Sequence, residues 1–306
     1  MTNDRKVTKK AAKKAPKKAS RKAPRKVSSR SAPASGGKQA ASQWPDSRDL
    51  SDLRAAVQRL EHPGLAARLT SLVGLPFEQG LKLLPEPWYQ RIHQSAQGAI
   101  SQALGVAVST MPDGPDRSRS RPDFHRLLGM GTGAVGGFFG LPGTLLELPT
   151  TTVVMLRAIA DVAAGEGEDL STSDARLACV QVFALGGRRP EDDAAETGYY
   201  SARMALAYHF SAVSSQLARS GMVQRSLPAA IQLVRGVAAR FGVAISDKVA
   251  FQLVPVAGAI SGALINGIFI QHFQEMARGH FVVRRLERRH GPSVIRGAYE
   301  RLARSP

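Results

Sequence analysis

The sequence predicts an all-α fold: a glycine-rich helical bundle containing two uncharged apolar helical hairpin segments, preceded by a disordered basic tail. Three observations lead there. After Trp44, apolar residues recur at three- and four-residue intervals. No stretch keeps the two-residue alternation of a half-buried strand. Two runs close to the length of a bilayer-crossing helix hold no ionisable residue at all.

The formal charge of +18 is distributed unevenly along the 306 residues. Residues 1–43 hold 14 Lys and Arg against Asp4 alone, and residues 284–306 hold 7 Arg against Glu287 and Glu300. Residues 44–283 are neutral, with 21 basic and 21 acidic side chains. The tail repeats Lys, Ala, Pro and Ser, and its only branched apolar side chains are Val7 and Val27. Such a composition cannot offset its ordering entropy by burial and is expected to stay disordered, so residues 1–43 form one part and residues 44–306 a helical domain. Its charge suits DNA or RNA through counterion release, and equally an anionic lipid surface. No apolar segment follows the charged start, which predicts the absence of a secretory signal peptide and a cytoplasmic location. The single cysteine, Cys179, excludes an internal disulfide and is expected to be an inert buried thiol.

In chain order, Leu50, Leu53, Val57 and Leu60 set the first helix, and Leu65, Leu69, Leu72 and Val73 the next, after Pro63-Gly64. Ile92 to Val108 reads as a third, closed by the Met111-Pro112-Asp113-Gly114-Pro115 turn. Ser171 with Asp174 resembles a capping box ahead of Leu177, Val180, Val182 and Phe183, with Gly186-Gly187 as the stop. Pro190 followed by Glu191, Asp192 and Asp193 fits a helix start, predicting a helix to Arg219. Pro228 to Phe241, stopped by Gly242, then Ser246 to about Ile270, and a last helix reaching Gly291-Pro292 complete the prediction.

The uncharged runs are Leu127 to Leu146 and Val249 to Ile270. In the first, Gly129, Gly133 and Gly137 form one ridge and Gly136 and Gly140 another; in the second, Gly258 and Gly262 repeat the spacing. Small residues four apart let helix backbones approach closely where lipid supplies no hydrophobic drive for association. Pro142-Gly143, Glu147 and Pro149 interrupt or end the first run, and Pro255 and Asn266 interrupt the second, so a re-entrant hairpin or a buried soluble core fits as well as a crossing helix.

The run Gly140-Leu141-Pro142-Gly143-Thr144-Leu145-Leu146-Glu147-Leu148-Pro149, continuing through Met155 to Asp161 and Gly165 to Leu170, resembles the EcsC family of bacterial proteins. Asp192 to Tyr200 and His272 to Phe281 resemble that family's later blocks in the same order. The likeness covers roughly Trp88 to Gly291 and leaves the basic tail outside. The resemblance implies a helical, membrane-associated bacterial protein and, through a family name taken from a gene beside an ABC exporter, an accessory to a membrane transporter. It supplies no reaction.

Glu147 ends an apolar run, where an unpaired carboxylate is costly, and Arg157 is a candidate partner although Arg157 and Asp161 already form an i,i+4 pair. His272, Glu275 and His280 fall near one helical azimuth, and with Glu147, Asp193 or Glu196 brought close they make a candidate polar or metal-binding cluster. The spacing matches neither a HExxH zinc helix nor a di-iron bundle, so no cofactor is expected and satisfied polar residues are the simpler explanation. The acidic stretch Glu166, Glu168 and Asp169 lacks the ligand positions of a calcium loop. Arg284, Arg285, Arg288 and Arg289 beside Phe281, Val282, Val283 and Leu286 make a basic amphipathic helix suited to an anionic surface.

Three functions are therefore expected in descending order. The first is an interaction or accessory protein on the cytoplasmic side of a bacterial inner membrane, peripheral or partly inserted, with anionic lipid as partner. The second is a soluble nucleic-acid-binding protein acting through residues 1–43. The third is a helical enzyme using Glu147 and the His272/His280 helix.

Overall fold

The computed structural model describes residues 46–61, 64–73, 84–109, 140–187, 198–220, 228–253 and 262–304, all within the unit formed by residues 42–306. They form α1 (Ser47–Glu61), α2 (Leu65–Val73), α3 (Glu86–Ser109), α4 (Gly140–Gly165), α5 (Ser173–Gln181) with a 3-10 turn (Val182–Ala184), α6 (Gly198–Ser220), α7 (Pro228–Leu253), α8 (Gly262–His290) and α9 (Pro292–Arg304). The protein is all-α, and no strand occurs among the described residues.

Helices α7 and α8 hold the core together. α8 packs along α1 and against α4 and α9, while α7 packs against α3 and α6, and α3 closes on α4. The centre is aromatic: Phe183, Phe241, Phe269 and Phe273 are all fully buried, with ring centroids 5.1 to 6.1 Å apart. Each such ring stabilises the fold by about 2 to 3 kcal/mol through burial, with a further increment from its edge-to-face contacts. The predicted apolar periodicity of the first helix is realised, with Leu53, Val57 and Leu60 all buried.

Close approach of α1 to α8 depends on Gly279. A Cβ there would lie 2.6 Å from Leu60 Cγ, so the leucine fills the space a side chain would take. The bend between α8 and α9 is made by Gly291 at φ +92°, a conformation that L side chains rarely adopt.

Several boundaries differ from the sequence expectation. α4 does not stop at Pro142-Gly143 or Pro149; it begins at Gly140 and runs through both to Gly165. Pro142 lies in the first turn, where its missing N–H has no helical acceptor to lose. Pro149 forfeits one backbone bond at about 3 kcal/mol, but burial of Leu148, Met155, Leu156 and Ile159 on the same helix outweighs that loss.

Gly242 likewise fails to stop a helix. α7 continues from Pro228 to Leu253, because one interior glycine costs only about 1 kcal/mol while Phe241, Ala244 and Ile245 beside it are fully buried. The helix predicted from Ser246 to about Ile270 is consequently divided between the end of α7 and the start of α8. The N-cap of α5 is Thr172, whose hydroxyl accepts from the Ala175 amide at 3.3 Å, rather than Ser171. Ser171 is instead held by Asp169 through its amide and hydroxyl. The predicted turn at 111–115 and the helix start at 190–193 lie outside the described residues.

Candidate functional site

The described parts of the two uncharged runs, residues 140–146, 249–253 and 262–270, meet where the early turns of α4 and α8 reach the last turns of α7. Thr144 on α4 donates its hydroxyl to Gln252 Oε1 on α7 at 2.9 Å. One turn further into each helix, Lys248 Nζ donates to Glu147 Oε1 at 3.0 Å and to Asn266 Oδ1 on α8 at 2.8 Å. The ammonium also lies 5.2 Å from the centroid of the Phe269 ring.

Glu147 immediately follows the first uncharged run and Lys248 immediately precedes the second. The lysine side chain is 1% exposed and the glutamate 9%. Burial pulls the Lys248 pKa below its ordinary value, and Glu147 partly restores it. The pair keeps two charges dry at the borders of the two uncharged runs, an arrangement that holds only while both partners are present. Glu147 Oε2 is buried and has no hydrogen-bond partner among the described residues, so the carboxylate is only half used.

Glu147 stands out in the sequence, but its partner is Lys248 and not Arg157. Arg157 is exposed on α4, and Asp161 half-buried one turn later. The signal that points to Lys248 was present: it is the charge bordering the second run, opposite in sign to the charge bordering the first.

The remaining predicted polar residues belong to separate networks. His272 Nε2 lies 2.9 Å from the Gly186 carbonyl oxygen, so that nitrogen carries the proton, and burial lowers its pKa to about 4. Glu275 pairs with Arg59 at 2.8 Å and with Arg278. His280 Nδ1 is 3.0 Å from the Tyr199 hydroxyl, which accepts from Arg203, while Arg203 makes a two-pronged pair with Glu287. Burial drives His280 well below the usual imidazole range. Among the described residues no three His, Cys, Asp or Glu side chains gather as a metal site. Cys179 is buried, which pushes its thiol pKa up.

The four arginines near the end of α8 face acids of the same fold. Arg284 holds both oxygens of the buried Glu168, at 2.9 and 3.2 Å, and reaches Asp174 at 2.7 Å. Arg285 joins Glu166 and Asp52, each at 2.6 Å, Arg288 adds a second contact to Glu168, and Arg289 binds Asp49 at 2.8 Å. The acidic turn after α4 and the first half of α1 are thereby fastened to α8. Arg288 and Arg289 remain about half exposed.

Of the predicted packing glycines, Gly140 and Gly262 are the first residues of α4 and α8. Gly129, Gly133, Gly136, Gly137 and Gly258 lie outside the described residues, as do Asp193 and Glu196.

In comparison with known proteins, the family model described as the EcsC protein family matches residues 2–286. The match reaches further toward the N-terminus than the motifs do and takes in the basic tail. No curated protein and no solved structure matches the chain.

Proposed function

Because the chain belongs to the EcsC protein family, we propose that it is a membrane-associated interaction protein that rests the α4–α8 end of its bundle on the cytoplasmic face of a bacterial membrane. The observation that carries this reading is the convergence of the two uncharged runs around a self-neutralised Glu147–Lys248 pair. With the bordering charges turned inward, that end offers lipid a surface such as Leu146, which is 82% exposed. An apolar end of this kind enters the interfacial zone without crossing the bilayer.

Helix α7 is long and apolar enough to cross a membrane by composition, but half of its most apolar window is buried inside the bundle, so it is read here as a core helix. The tail, with its excess of 13 positive charges, supplies attraction to anionic lipid that salt weakens. Apolar contact supplies retention that salt does not weaken. Within this role the protein serves as an accessory to a membrane partner such as a transporter.

Flotation of the full chain with anionic vesicles, followed by a high-salt wash, tests the reading. Vesicle binding that survives the wash is expected. A second reading, nucleic-acid binding through residues 1–43, rests on the same tail charge; it predicts steeply salt-dependent DNA binding and no salt-resistant vesicle fraction.

A further inference from the structure

A cleft of about 690 Å³ opens between the first turns of α3 and the second half of α7, on a face of α7 separate from the Lys248 side chain's contacts. Tyr89 and Ile92 on α3 and Ala239 and Val243 on α7 form the apolar part of its walls, and Gln90, His93 and Gln94 its polar rim on α3. The floor exists because position 242 is glycine. The nearest atoms to a Cβ placed there are His93 Nδ1 at 3.9 Å and Ala96 Cβ at 4.0 Å, so a larger side chain would grow into the cleft.

One charged group stands in this space. Asp247 is half-buried, lines the cleft, and has no hydrogen-bond or ion-pair partner among the described residues. Its neighbours do not serve it. Ser246 turns its hydroxyl back to the Gly242 carbonyl at 2.9 Å, and Lys248, adjacent in sequence, is committed to Glu147 and Asn266. A carboxylate held in an apolar wall without a counter-charge disfavours its own ionised form, and burial raises the Asp247 pKa to about 7. An unpartnered carboxylate lining a cleft is a candidate ligand-binding group, and the size of this cleft suits a small organic molecule.

We propose that this cleft binds a small organic cation, an amine with an apolar body, whose ammonium is paired by Asp247 while its body lies against Ile92, Val243 and the Tyr89 ring. The ammonium provides the missing counter-charge, and the apolar body is taken out of water by the cleft walls.

The test is titration calorimetry of the full chain with phenylbutylamine and with its neutral counterpart phenylbutanol, at about pH 8, where Asp247 is ionised and the amine still charged. The amine is expected to bind at least about tenfold more tightly than the alcohol. Asp247→Asn should bring the amine to the level of the alcohol, and Gly242→Leu should abolish binding of both. Circular dichroism of each variant confirms that the bundle is intact, and Ser51→Ala, exposed on α1 and outside the cleft, serves as a control that keeps the amine preference. Equal binding of amine and alcohol, an amine preference retained in Asp247→Asn or Gly242→Leu, or no binding of either compound overturns the proposal.

Discussion

Lys248 Nζ stands 3.0 Å from Glu147 Oε1, joining the two ends of otherwise charge-free sequence into a buried ion pair between α7 and α4. Neither residue can be removed alone without leaving the other charge dry. Glu147→Ala is therefore expected to destabilise the fold by about 3 to 5 kcal/mol in urea denaturation. The apolar double variant Glu147→Leu/Lys248→Met should recover most of that loss. A double variant no better than the single one would mean that the pair does not act as a unit.

The buried His272 and the half-buried Asp247 are expected to tilt stability with pH in opposite directions. His272 has its folded pKa lowered to about 4, so its contribution is present above about pH 6.5 and is lost as pH falls toward 4, roughly 3 kcal/mol in all. Asp247 has its folded pKa raised to about 7, so its contribution is present below about pH 4 and is lost as pH rises through 7. His93, an exposed imidazole, lines the same cleft as Asp247. Denaturation from pH 4 to 8 should show His272→Gln losing part of the acid-side decline. Asp247→Asn should gain about 2 kcal/mol over the wild type at pH 8 and nothing at pH 4. Variants that shift stability equally at both ends of the range would refute the assignments.

Gly279 and Leu60 form a lock between α8 and α1. Gly279→Ala forces a Cβ to within 2.6 Å of Leu60 Cγ and should cost about 1 to 3 kcal/mol. Adding Leu60→Ala opens the space, so the double variant should be less destabilised than the sum of the two single ones. Strict additivity in a thermal-melt cycle would show that the contact is not the cause.

The α8 arginines should be ranked by how deeply their acidic partners are buried. Glu168 is 5% exposed and depends on Arg284, so Arg284→Ala is expected to cost about 2 to 4 kcal/mol. Arg296 pairs with Glu300 on the surface of α9, and Arg296→Ala should cost less than about 1 kcal/mol. Equal losses would place the two pairs in the same environment, against the structure.

Much of the fold was legible because period and burial agree: Leu53, Val57 and Leu60 repeat at helical spacing and all face the core. The helix ends were less so. Pro149 and Gly242 are local breakers, and whether a breaker breaks depends on how much apolar surface its neighbours bury, which the local sequence does not state. The candidate site was half legible for a similar reason. Glu147 was conspicuous for its position, whereas its partner lies 101 residues away and becomes a partner only once α4 and α7 are packed. Arg284 to Arg289 read as a basic face because their acidic partners on α1 and after α4 are just as distant in sequence.

The proposed membrane contact lies at the end of the bundle where Glu147 and Lys248 pair. The decisive measurement is the fraction of full chain that floats with anionic vesicles after a high-salt wash, compared between the wild type and Leu146→Asp/Leu264→Asp. Both leucines are exposed, at 82% and 38%, so the substitutions should leave the fold intact. The wild type is expected to stay bound and the double variant to be released by salt, held until then by its basic tail alone. A wild type that washes off completely, or a double variant that resists salt as well as the wild type, contradicts the proposed contact.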